Sequence, residues 1–276
     1  MEHLLTCLDP IRDSVTKSAL VLLLLDLDGT LAPIVSTPQE AVIPEGTRAT
    51  LRCLSLVPRY RVGVVSGRPV DEVREMVSIE GIFYAGNHGL ELVHPQGRWT
   101  HPEAAALHPQ LAQVARALEV ELGHIPGLLI EHKGLTIGVH YRQVAQERQE
   151  VIEPRMRAVL ESFGKLFRLA SGKKVLEVRP RVPCDKGTAV RTIARLADSQ
   201  GKDLIIYIGD DETDEDAFAA LKPKDIAIRV GEEAASKAAY FLRDTDEVVA
   251  FLDALVRWGI GEEKGRGKVA RIPDKV

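Results

Sequence analysis

The sequence predicts an α/β protein: a doubly wound parallel sheet carrying an inserted α+β cap module. Three observations lead there. Short, largely apolar runs at residues 19–25, 61–65 and 203–208, the first of them unbroken, are too brief for typical helices and fit strands buried on both faces. Segments of helical spacing lie between them, as crossovers joining parallel strands require. The alternation breaks off near Gln96 and returns after Pro183.

In chain order, the strand at 19–25 runs into Asp26-Leu27-Asp28-Gly29-Thr30, and a helix at 44–56 opens on a proline. The strand at 61–65 ends at Ser66-Gly67-Arg68, a helix begins at 69–77, and a third strand at 82–85 precedes the loop Gly86-Asn87-His88-Gly89. The insert then offers a long amphipathic helix at 103–122 and a hairpin of 128–131 with 135–141 about Lys133-Gly134. A second helix follows at 146–163, and 166–169 is expected to pair with 174–178 across Ser171-Gly172. The first pattern resumes with a helix at 185–198, a strand at 203–208, a helix at 213–221, a strand at 225–230 and a closing helix at 246–258. Residues after Gly261 are charged and are expected to form a loose tail, while residues 1–18 match no motif. The resulting division is a discontinuous core domain, 1–98 and 180–276, with a cap domain at 99–179. Trp99 and Trp258 are expected to pack.

Composition narrows the function. With 276 residues, 45% hydrophobic and 28% charged, the chain is of ordinary globular make-up. A net charge of -4, from 36 basic and 40 acidic residues, does not advertise a nucleic-acid surface. No apolar run approaches the roughly 20 residues needed to span a bilayer, and Glu2, Asp9 and Asp13 replace the cationic start of a secretion signal. Cys7, Cys53 and Cys184 are widely spaced and odd in number, which suits reduced thiols in a cytoplasmic protein. His88 and His140 have no companions at zinc spacing and are not assigned to metal.

Three of the predicted strands end in polar clusters, and in open parallel sheets ligands bind at that carboxyl edge. Asp26, Asp28, Asp210 and Asp214 would then crowd one rim, where their repulsion calls for a divalent cation; Mg²⁺ suits one or two carboxylates plus phosphate oxygen. Any one of these aspartates alone is as well explained as a helix cap or turn residue, Ser66 as an N-cap and Lys186 as a solvated lysine. The order DxDGT, SG, Lys, GDDxxD resembles the haloacid dehalogenase (HAD) phosphohydrolase superfamily. That resemblance implies a Rossmann-like core, Asp26 as the nucleophile forming an aspartyl-phosphate, and Asp28 as acid then base. It further implies that Ser66 and Thr30 position the phosphoryl group while Lys186 stabilises its charge. Asp26, the carbonyl of Asp28 and Asp210 would hold Mg²⁺, with Asp211 and Asp214 supporting that shell.

The short interval 31–65 leaves no room for a cap, whereas 69–185 does, so the insert falls where superfamily members usually select sugar phosphates. The strings YAGNHGLEL, EHKGLTIGVHYR, GKKVLEVRP and GDDETDEDAF are similar to trehalose-6-phosphate phosphatases. By that likeness Glu131, Lys133 and Glu177 would bond glucose hydroxyls, with Asn87, His88 and Arg68 lining the core side. On spacing alone Glu131 and Lys133 would be a solvated strand face. The expected partner is a small sugar phosphate met by a monomeric cytoplasmic chain, with no nucleic acid and no membrane. Phosphatases of sucrose 6-phosphate or mannosyl-3-phosphoglycerate are the nearest alternatives; a signalling receiver domain is far shorter and lacks Asp28. A catalytically dead sensor would leave the intact catalytic set unexplained.

Overall fold

The computed structural model describes residues 1–197, 203–232 and 235–265, with side chains to residue 260. In chain order the elements are β1 (Glu2–His3), α1 (Leu8–Lys17), β2 (Val21–Leu25), α2 (Glu45–Leu56), β3 (Tyr60–Val65), α3 (Val70–Val77) and β4 (Phe83–Gly86). Then come β5 (Glu91–His94), β6 (Gly97–Thr100), α4 (Pro102–Ala106), α5 (His108–Leu122), β7 (Leu129–His132), β8 (Ile137–His140), α6 (Gln146–Gln149) and α7 (Ile152–Glu161). The chain continues through β9 (Phe167–Gly172), β10 (Val175–Pro180), α8 (Lys186–Leu196), β11 (Leu204–Gly209), α9 (Asp214–Ala220), β12 (Ile226–Val230), β13 (Tyr240–Leu242) and α10 (Thr245–Gly265).

A nine-stranded sheet runs β1-β13-β12-β11-β2-β3-β4-β5-β6. It is parallel from β1 to β4, and β5 and β6 fold back antiparallel on one edge. Helices cover both faces, which explains the unbroken apolar run of β2. Val21, Leu23 and Leu25 face a core built with α1, α2, α3 and α10, while Leu22 and Leu24 face one built with α8 and α9. A four-stranded antiparallel sheet, β7-β8-β10-β9, forms its own core against α5 and α7 through Leu111, Val114, Leu118, Met156, Ile137 and Val178. Leu90, Ala104, Leu135 and Val182 pack together where the two parts meet.

Several elements differ from their sequence expectations. The helix expected at 103–122 restarts after Leu107, because Pro109 has no N–H to give the preceding turn. The one at 146–163 is likewise split, with Pro154 in the first turn of α7. The β9–β10 hairpin turns at Lys173-Lys174, since Gly172 pairs with Val175; Lys174 takes the left-handed conformation (φ 64°) that the tight turn needs. Residues 1–18 join the core: β1 pairs with β13, and Leu4, Ile11 and Val15 are buried. Trp99 is 42% exposed, edge-on to His101, whereas Trp258 packs edge-to-face on Phe251. The closing helix extends to Gly265, four residues into the expected tail; residues 266–276 lie outside the described residues.

Candidate active site

Strands β11, β2 and β3 are neighbours, so the three polar clusters that follow them meet at one edge. Asp26 and Asp210 leave β2 and β11 nearly fully buried, and Asp214 opens α9 with no exposure. Their carboxylates offer oxygens all within 4.8 Å of one another. Gly29, at φ +80°, allows this approach, since a Cβ there would lie 2.3 Å from Asp210 Oδ2. Gly209 does the same for Asp214, with 2.2 Å to its Cγ.

Lys186 lies among these acids. Asp185 caps α8 by accepting from the Thr188 N–H at 2.7 Å, and this fixes the next residue, Lys186, at the helix start. Its Nζ is 2.9 Å from Asp26 and 2.7 Å from Asp214. Burial alone would lower the Lys186 pKa, yet Asp214 and Asp26 hold it above its ordinary value, so it stays cationic. Asp214 also accepts from Tyr207 Oη at 2.7 Å and from the Asp211 N–H at 2.9 Å. Breaking so buried a network by removing one member costs about 3–5 kcal/mol.

One lysine does not balance the site. Burial pushes the Asp26 carboxyl well above the usual range; Lys186 opposes this, and Asp214 and Asp210 add to it. Burial likewise pushes Asp210 up to about 6, against the pull of Lys173. Asp210 Oδ1 is buried without a hydrogen-bond partner. An all-oxygen, surplus-anionic cluster with an orphaned acceptor fits a hard divalent cation.

A cavity of about 190 Å³ joins this edge to the four-stranded sheet; Asp26, Asp28, Ser66, Arg68 and Lys186 line one side and Glu131, Lys133, His140 and Glu177 the other. Asp28 stands at the mouth, held by Arg68 through Nε at 2.7 Å and Nη2 at 2.8 Å, while Glu72 takes the other end of the guanidinium. Ser66 is buried, and its hydroxyl accepts from the Arg68 N–H at 3.2 Å.

The opposite wall is built on strand register. Glu131, Gly138 and Glu177 stand in one row across β7, β8 and β10. The central glycine leaves a hollow, where a Cβ would lie 3.0 Å from His140 Nε2, 3.2 Å from Lys133 Cε and 3.5 Å from Glu131 Oε2. Glu131 bonds His140 at 2.9 Å. Lys133 bonds Glu177 at 2.8 Å and reaches the Gly67 carbonyl at 3.3 Å. Arg179 bonds both Glu177 (2.8 Å) and His88 Nε2 (2.7 Å), and that ring nitrogen also lies 2.7 Å from Glu177. Burial would raise the Glu177 carboxyl, but Lys133, His88 and Arg179 hold it well below its ordinary value. Burial and Arg179 push the His88 pKa down to about 4 despite Glu177, so the ring is neutral.

Two of the expected contacts are placed elsewhere. Asn87 is fully buried behind the cavity wall, its amide giving to Glu91 (2.7 Å) and the Lys133 carbonyl (3.0 Å) and its oxygen accepting from Thr136 (2.7 Å). Thr30 is also fully buried and does not line the cavity. Asp211 lines the cavity, with Oδ1 buried and unpartnered, apart from the three-carboxylate cluster. Lys173, Arg179 and Arg142 line the cavity with no role assigned from the sequence, although the first two fall within GKKVLEVRP and Arg142 closes EHKGLTIGVHYR. His140 was detectable: two residues beyond Gly138 on the same face, it is the diagonal neighbour of Glu131.

Comparison with known proteins agrees with this geometry. Residues 24–246 match the family described as trehalose-phosphatase. A rice protein (Oryza sativa subsp. japonica) named probable trehalose-phosphate phosphatase 3 is 35% identical over 274 residues, covering 91% of this chain and 74% of its own. A Mycobacterium marinum trehalose-phosphate phosphatase is 41% identical over 208 residues, covering 74% of this chain; the match spans about half (52%) of that relative. Among solved structures, the C-terminal domain of the Candida albicans trehalose-6-phosphate phosphatase superposes with a TM-score of 0.78 at 23% identity, over 90% of this chain and 96% of that one. A sucrose-phosphatase from Synechocystis superposes with 0.53 at 15% identity, over 87% and 98%, a likeness of fold alone. On the length of the family match and the identity to these relatives, the chain belongs to the trehalose-phosphatase family.

Proposed function

We propose that this chain is a Mg²⁺-dependent phosphatase that hydrolyses trehalose 6-phosphate to trehalose and inorganic phosphate through an aspartyl-phosphate on Asp26. The observation that carries the reading is the meeting, in one cavity, of a buried carboxylate cluster with Lys186 on one wall and a polar row suited to hydroxyls on the other. We take residues 1–98 and 180–276 as the core and 99–179 as the cap.

Asp26 would attack phosphorus, and Lys186, 2.9 Å from Asp26 Oδ1, would hold the anionic oxygens that arrive beside it. Asp28 would give a proton to the leaving sugar oxygen and take one from the attacking water; its carboxyl is 41% exposed, so it can exchange protons with solvent. Ser66 and Arg68 would orient the phosphoryl group. Asp26, Asp210 and the backbone carbonyl of Asp28 would hold Mg²⁺, supported by Asp214. When bound, that ion neutralises carboxylate and phosphoryl charge, which phosphoryl transfer chiefly demands. Glu131, Lys133 and Glu177 would pair sugar hydroxyls, and a site of buried charges strongly disfavours esters that leave them unpaired.

The test is phosphate release from trehalose 6-phosphate, sucrose 6-phosphate, mannosyl-3-phosphoglycerate and p-nitrophenyl phosphate, each with Mg²⁺ and with EDTA. Mg²⁺-dependent preference for trehalose 6-phosphate is expected. Preference for another ester would replace the substrate, and activity undiminished by EDTA would remove the metal.

A further inference from the structure

One cation bound to the carboxylate cluster comes from the opposite wall. Lys173, at the β9–β10 turn, places Nζ 2.5 Å from Asp210 Oδ2 and 2.8 Å from the Asp210 carbonyl. Its side chain is 43% exposed, so it reaches in from solvent to a carboxylate only 5% exposed. The turn is set closely on the loop after β11: a Cβ at Gly172 would lie 3.4 Å from Asp211 Oδ2. Lys174, its neighbour on the turn, points elsewhere, to Gln149 at 3.0 Å.

We infer that Lys173 is a positioning residue: a tethered ammonium that holds Asp210 and the turn together until a divalent cation takes Asp210, so that metal entry releases the turn. The two cations compete because Lys173 uses a carboxylate oxygen of a residue that the metal site needs, and two positive charges on one buried carboxylate repel. Lys186 differs in being held within the core by both Asp26 and Asp214. Release of Lys173 also frees its charge at the cavity wall, which Arg142 lines as well. This inference rests on the proposed Mg²⁺ site.

The experiment is calorimetric titration of the full chain with Mg²⁺ alone, without substrate, comparing wild type with Lys173→Met, Lys173→Arg and Lys174→Met. A half-exposed ion pair contributes up to about 1 kcal/mol, so Lys173→Met should bind Mg²⁺ about fivefold tighter. Lys173→Arg and Lys174→Met should match wild type within about twofold by the same scale. Amide hydrogen exchange at 170–175 supplies the second readout. Mg²⁺ should speed exchange there in wild type and leave it unchanged in Lys173→Met, whose turn is already loose. Equal or weaker Mg²⁺ affinity in Lys173→Met, or wild-type exchange indifferent to Mg²⁺, would overturn the competition while sparing the proposed metal site. A wild-type chain that takes up no Mg²⁺ would overturn both.

Discussion

Asp26 draws its chemistry from its neighbours: burial and two further carboxylates make its charge costly, and Lys186 makes it tolerable. Asp26→Asn keeps the shape and removes the proposed nucleophile, so phosphate release from trehalose 6-phosphate should fall by at least ~10³-fold, as losses of catalytic nucleophiles do, while equilibrium binding of the ester persists. Glu131 is the proposed contact on the sugar side. Glu131→Ala should depress kcat/KM for trehalose 6-phosphate by about tenfold or more and leave p-nitrophenyl phosphate nearly unchanged; equal losses on both would indicate a folding defect. His88 provides a test of electrostatics. Its folded pKa, about 4, lies below the ordinary 6.5, so between those values the unfolded chain binds more protons and stability falls as pH falls. Asp210, raised to about 6, works in the opposite sense over the same window, so the comparison must be between variants. In urea titrations with EDTA, His88→Gln should lose up to about 3 kcal/mol less than wild type between pH 6.5 and 4; parallel curves would contradict the neutral, buried ring.

Elements set these residues in place through a few local devices. The reciprocal bonds between Asp185 and Thr188 start α8 one residue before its lysine, so Asp185→Ala should cost about 1 kcal/mol in chemical denaturation and lower activity by displacing Lys186. The Asn87–His88–Gly89 turn holds three successive residues at positive φ (47°, 57° and 100°), two of them not glycine. Such backbone persists only where the surroundings enforce it. Here the Asn87 and His88 N–H groups bond the Arg68 and Ser66 carbonyls, tying the turn to the loop that carries Ser66. The buried strands and most helices were legible because their apolar spacing is local. The broken helices depend on single prolines within otherwise helical patterns, and β5, β6 and β13, short strands at or next to the two edges of the sheet, have pairings not written in their own spacing.

The whole molecule presents a closed arrangement. About 190 Å³ is less than the roughly 300 Å³ at which ligand pockets usually begin, so the four-stranded part is expected to swing away to admit a disaccharide phosphate. Beside the small apolar cluster of Leu90, Ala104, Leu135 and Val182, polar contacts hold it shut: Lys133 to the Gly67 carbonyl, Asn87 to the Lys133 carbonyl, Glu177 to His88, and Lys173 to Asp210. Polar contacts of this kind exchange for water at little net cost, as a reopening lid needs. Gly172 lies close enough to Asp211 to test the motion. In a Gly172→Cys, Asp211→Cys double variant, oxidation should cut turnover of trehalose 6-phosphate by more than about tenfold relative to the same protein reduced with dithiothreitol. Full turnover in the cross-linked form would show that the cavity admits substrate without opening.

The amino-acid order by itself determined the layered α/β core and the polar clusters that end its strands, because each depends on short-range spacing of apolar runs and the residues that close them, whereas the roles expected of those residues came from the order of the motifs and its resemblance to a known superfamily. Tertiary structure decided what those residues touch. That Asn87 faces away from the cavity, that Gly138 opens a hollow between two glutamates, and that a cap lysine lies on Asp210 all depend on strand register and the docking of two separately folded sheets. Those relations join residues far apart in the chain, and their energies appear only once both partners are buried together.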